Sequence, residues 1–91
     1  MKMMERRWLK CRKIGEGLFP SEIAVLGRTV EGKEFTLFAD ESILKPLGND
    51  EMGLQVTLLD SQGDEAVVVL PDFPFEMNRI IRVKRSELLP S

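Results

Sequence analysis

The sequence predicts an all-β fold, a small antiparallel barrel or roll of about six short strands with one or two short helical turns. Three observations carry that expectation. Apolar and polar residues alternate over short stretches, with the period of two that a strand imposes on its faces. Two loops joining such stretches each hold glycine at the third place, where a three-residue hairpin needs a left-handed residue. The remaining strand faces still carry Leu26, Phe38, Leu59, Val67 and Val69, too apolar for a sheet with one fully wet side; sheets buried on both sides, a closed barrel or a partner surface would each account for them, and a small plugged barrel is the simplest.

The first strand runs from Glu5 to Ile14, where Trp8, Leu9, Cys11 and Ile14 are interleaved with charges. Its parity is open. If Leu9 and Cys11 face the core, Trp8 is displayed beside Arg6, Lys10 and Arg12. If Trp8 is core, those cations share its face and a bulge must release them. Gly15-Glu16-Gly17 ends the strand. Leu18-Phe19-Pro20 forms an apolar loop, because the pyrrolidine ring holds Phe19 extended.

Ser21 to Thr29 and Lys33 to Ala39 form a hairpin around Val30-Glu31-Gly32. With Gly32 third, Ile23 faces Ala39, Val25 faces Leu37 and Gly27 faces Phe35, while Arg28 meets Glu34 as a favourable cross-strand pair. Asp40 to Lys45 makes one helical turn capped by Asp40 and stopped by Pro46. Gly48 to Asp50 is a loop. The second hairpin pairs Met52–Asp60 with Asp64–Leu70 through Ser61-Gln62-Gly63, placing Leu54 by Leu70, Val56 by Val68 and Leu58 by Ala66. Pro71 to Met77 is irregular. Arg79 to Arg85 is the last strand, with Ile81 and Val83 inward, and Ser86 to Pro90 is a short helical turn. The terminal strands are expected to pair and close the sheet. With no repeat, low-complexity tract or linker, residues 1–91 read as a single domain.

In strand count, strand length and turn spacing the chain resembles the Src-homology-three-like and Tudor-like barrels, with the OB-fold as a second template. The resemblance rests on outline over the whole chain and on no motif. It therefore implies a fold and no activity.

Charge is unevenly spread. Residues 1–13 hold Lys2, Arg6, Arg7, Lys10, Arg12 and Lys13 against Glu5, and residues 79–87 hold Arg79, Arg82, Lys84 and Arg85 against Glu87. The middle carries only Arg28, Lys33 and Lys45 among its acids, and the chain's net charge is -2. Side by side, the ends would make one cationic stripe on an acidic body. The acidic total disfavours indiscriminate nucleic-acid binding. No apolar run approaches the roughly 20 residues of a membrane helix, and no apolar segment follows the basic start, so neither a membrane association nor a secretory signal is expected. The expected location is the cytoplasm.

Chemistry is sparsely equipped. The chain has no His and no Tyr, which removes the commonest general base and metal ligand. The single Cys11 forms no internal disulfide; cations beside it in sequence favour a thiolate, whereas strand alternation reads it as a small apolar residue. The acid pairs Asp40-Glu41, Asp50-Glu51 and Asp64-Glu65 point apart as chain neighbours and make no catalytic dyad. Residues 60–65 lack calcium-loop spacing, and Gly15-Glu16-Gly17 lacks the third glycine and helix of a phosphate loop. No enzyme, cofactor or metal is expected.

Two surfaces remain as binding candidates. One is the basic strand face with Arg6, Trp8, Lys10 and Arg12, extended by Arg82 and Lys84 if the terminal strands pair. The other is apolar: Phe73, Phe75 and Met77 at alternate places in a Pro-broken loop, with Leu18-Phe19-Pro20 as a second such loop, which either mark an interaction site or fold back as a plug. The expectation is a non-catalytic module that docks another protein. The alternative is a nucleic-acid-binding barrel in which Trp8 stacks bases between phosphate-neutralising cations. A monomer and a homodimer are both compatible with the strand edges and second apolar face.

Overall fold

The computed structural model describes residues 4–75 and 77–90. They form an antiparallel sheet rolled into a half-barrel, as the alternation predicts. Its strands are β1 (Glu5–Glu16), β2 (Glu22–Arg28), β3 (Glu34–Asp40), β4 (Leu44–Gly48), β5 (Glu51–Gln62), β6 (Glu65–Val69), β7 (Ile80–Lys84) and β8 (Leu88–Leu89). Single 3-10 turns at Glu41–Ile43 and Arg85–Glu87 complete the chain.

The sheet order is β3-β2-β1-β5-β6-β7, with β4 added beside β5 and β8 beside β1. The long strands β1 and β5 pair from Glu5 with Leu58 to Arg12 with Glu51, making the spine. Inward residues fill the interior. Leu9, Val25, Leu37, Leu54, Val56, Val68, Leu70 and Val83 are almost wholly removed from water. Each such side chain contributes about 1.5–3 kcal/mol relative to exposure.

The first hairpin has the register that its loop demands: Ile23 opposite Ala39, Val25 opposite Leu37, Gly27 opposite Phe35 and Arg28 opposite Glu34. Gly32 takes φ 87°, a conformation that glycine adopts without steric cost. Gly27 answers a different need, since a Cβ there would fall 2.4 Å from the Phe35 ring.

The second hairpin departs from expectation. Gln62 pairs Glu65 across a two-residue turn of Gly63 and Asp64, Leu58 meets Val68, and the register shifts between Leu58 and Asp60. Gly63, at φ 60°, stands first in this turn rather than third in a longer one. A bulge at Leu59 absorbs the difference. Because Leu58 is displaced by two places relative to the expected pairing, the inward set is unchanged: Leu54, Val56, Ala66, Val68 and Leu70 are all buried.

Two other segments differ. Asp40 caps its turn as expected, accepting from the Ser42 amide at 2.9 Å. The chain then continues as β4, where Pro46 lies opposite Met52; β4 pairs only β5, and a free flank tolerates a residue with no N–H. At the end, the 3-10 turn stops at Glu87 and β8 pairs Leu89 with Trp8 and Leu88 with Leu9.

The expected pairing of the first strand with Arg79–Arg85 does not occur, since β5 and β6 stand between β1 and β7. The place beside β1 goes to Leu88 and Leu89, and Leu88 packs on the core. Burying leucine there is favourable, whereas aligning two cationic strands would be repulsive. No ladder pairs the two outermost strands, β3 and β7, among the described residues; instead Val30, in the turn between β2 and β3, donates its N–H to Arg82 O of β7 at 2.8 Å, and Phe75, in the segment before β7, donates its N–H to Thr36 O of β3 at 3.0 Å.

Candidate functional site

The parity of β1 follows from burial. Leu9 and Cys11 are core, so Arg6, Trp8, Lys10 and Arg12 share the outer face. Trp8 is half-buried, lying over Gly53, where a Cβ would come within 3.2 Å of its own Cβ. Gln55 and Leu89 flank it on the paired strands, and the Lys45 ammonium lies 5.8 Å from its ring centroid. No side-chain hydrogen bond or ion pair to another described residue engages Arg6, Lys10 or Arg12. Lys2 lies outside the described residues.

The cations near β7 are differently placed. Arg79 donates from Nε to Leu70 O at 3.1 Å and from Nη2 to Pro71 O at 3.3 Å, and its guanidinium covers the Phe73 ring at 5.3 Å. Arg82 reaches Glu65 at 3.5 Å. Arg85 donates to Gly63 O at 3.0 Å. Lys84 stands opposite Glu65 in the ladder. Arg7, on the inner parity of β1, pairs with Glu5 at 2.8 Å.

The apolar candidates divide three ways. Met77 is partly buried and packs against the core. Phe75, 58% exposed, makes an edge contact with Phe38 at 5.5 Å. Phe73, 67% exposed, remains on the surface beneath Arg79. Leu18 and Phe19 are also exposed, past the far end of β1.

One outer face nevertheless links part of both candidate sets. Register places Arg6 beside Thr57, Thr57 beside Val69 and Val69 beside Ile80, a single line across β1, β5, β6 and β7. Ile80 is 57% exposed. Val69, Phe73, Asn78, Arg79 and Ile80 line a shallow apolar depression of about 430 Å³. Val67 and Arg82 extend the same face in the next row. The alternation of the last strand read Ile81 and Val83 as inward, and therefore signalled an outward Ile80; its neighbour Val69 became visible as a partner only through the register.

The thiol of Cys11 is pushed up to about 12, first by burial and then by the Glu87 carboxylate. It is therefore a thiol at neutral pH, and the adjacent cations point away from it along the outer parity. Asp40 is held below the usual carboxylate range by its hydrogen bonds to Ser42, with a smaller contribution from Ser21. Among the described residues no cluster of His, Cys, Asp and Glu is arranged to hold a metal ion, and no helix is long and apolar enough to cross a membrane. In comparisons with known proteins, the chain matches no family model, no curated protein and no solved structure.

Proposed function

We propose that the protein is a non-catalytic, cytoplasmic docking module that binds another protein through the outer face of β1, β5, β6 and β7. The observation that carries this reading is the line Arg6, Thr57, Val69, Ile80. It spans about 14 Å, three inter-strand steps of about 4.8 Å. An apolar centre of Val69, Ile80 and Phe73 is bordered by Arg6 and Trp8 on one side and by Arg79 and Arg82 on the other. Protein interfaces have this anatomy, and a cationic border selects a partner whose apolar patch has acidic flanks.

Affinity capture from native extract, with and without nuclease, tests the proposal. Ile80→Glu and Phe73→Ala should each lose the nuclease-resistant partner, while Phe19→Glu, at the opposite end of β1, should retain it. Retention by Ile80→Glu would overturn the docking face. A second reading, nucleic-acid binding, is favoured by the outward Trp8 among Arg6, Lys10 and Arg12. It predicts a log-log salt slope near minus four to five for about five phosphate contacts. A flat titration of Trp8 fluorescence with single-stranded oligonucleotide at low salt is the outcome expected here.

A further inference from the structure

On the flank of β1 opposite β5, the ladder is interrupted. Leu89 and Leu88 cover Trp8 and Leu9, and β2 begins to pair only at Arg12, which faces Leu26. Lys10 and Cys11 are left between these two pairings. The interruption is a pocket of about 180 Å³ with Cys11, Leu26 and Gly27 in its lining. Lys10, Arg12 and Arg28 supply its cations and Glu87 its one acid.

The register explains why these charges crowd. Arg12 pairs Leu26, so continuing the ladder by two residues would set Lys10 directly opposite Arg28. Like charges so placed repel. Continuing the β8 ladder by one residue sets Glu87 beside Lys10, where its carboxylate partly offsets that repulsion. Arg28 has its own partner, Glu34 at 3.3 Å, leaving Lys10 and Arg12 as the donors with no ion pair to another described residue.

We infer that this gap is the anchor pocket of the docking face and receives one carboxylate side chain, an aspartate or glutamate of the partner protein. The inference rests on the docking reading and names the chemistry that the face selects. Arg12 offers a planar fork suited to two carboxylate oxygens, and Lys10 a point charge beside it. The incoming carboxylate enters against the repulsion of Glu87, which lines the same pocket, and the methylenes behind it lie on Leu26. Trp8, next on the outer parity of β1, connects the pocket to the Arg6 line.

The test follows backbone amide shifts of the full chain while N-acetylglutamate α-amide is added at constant ionic strength, with N-acetylglutamine α-amide and inorganic phosphate as parallel probes. A ligand of this size should saturate with a dissociation constant on the order of 1–10 mM. Shifts should concentrate at Lys10 to Arg12, Leu26 to Arg28 and Glu87. Arg12→Ala should weaken binding by at least about fivefold, and Glu87→Gln should tighten it about threefold. Ile80→Glu, outside the pocket, should leave the titration unchanged, so a failure of the docking face is distinguishable from a failure of the pocket. The inference is overturned by linear shifts spread over all cations, by equal binding of the glutamine compound, or by an unaltered titration in Arg12→Ala. Tighter binding of phosphate than of the glutamate compound would assign the pocket to a phosphate-bearing ligand and overturn it as well.

Discussion

The cations of β1 and those around β7 look alike in sequence and do different work in the fold. Around β7, Arg79 and Arg85 hold carbonyl oxygens of their own chain and Arg82 holds Glu65. On the outer row of β1, Arg6, Lys10 and Arg12 hold no other described side chain. An arginine beside an irregular segment such as residues 71–75 meets carbonyls that no ladder satisfies, and it becomes a tie. A cation on the outward parity of a central strand meets a backbone already paired, and its charge stays available. The local backbone, rather than the charge count, decides which cations can face a partner.

The largest effect that tests this contrast is at Arg79. Arg79→Ala should lower stability by about 2–3 kcal/mol, because two charge-assisted carbonyl bonds and the Phe73 stack are lost. Urea unfolding measures it, and a wild-type midpoint would erase the distinction between tie and free cation. Arg79→Lys should recover less than half of the loss, since one ammonium cannot reproduce the fork.

Next in size, taken over one pH unit, is the alkaline response of Cys11, which checks that β1 turns its thiol inward and its cations outward. A folded-state value raised from about 9 to about 12 favours the fold below the ordinary thiol value. That contribution is lost as pH rises through the folded value. Stability should therefore fall above pH 9 by up to about 1.4 kcal/mol per pH unit, and Cys11→Ala should lack this component. Rapid alkylation of the native protein at neutral pH would place the thiol outside.

The smallest effect is at Arg6, Lys10 and Arg12. Each change to Ala should move stability by no more than about 0.5 kcal/mol, read from the same unfolding curves. A larger loss at any of them would identify that residue as structural and remove it from the docking face.

The sequence disclosed local pairing better than long-range pairing. In the first hairpin, Gly32 and four consistent cross-strand pairs leave one register. In the second, glycine at position 63 suits either the third place of a three-residue loop or the first of a two-residue turn. Alternation cannot choose between pairings two residues apart, because both keep Val56 and Val68 inside. Pro46 reads as a stop in sequence, yet an edge strand has room for it. Leu88 and Leu89 are too few for a periodic signal, and their place beside β1 depends on the rest of the barrel.

The candidate site was legible to the same degree. The outward row of Arg6, Trp8, Lys10 and Arg12 follows from alternation once Leu9 and Cys11 are core. Phe73, Phe75 and Met77 stand at alternate places, but period two gives a common face only in a strand. In this irregular segment the three side chains go separately to Arg79, Phe38 and the core.

The bond partners Trp8 and Leu89 lie near the two extremes of the described chain. Their contact closes a loop spanning most of the sequence, so its entropic cost must be met before the pairing rewards it. Loss of β8 would strip a neighbour from a central strand rather than fray a margin, which ties the end of the described chain to the middle of the sheet.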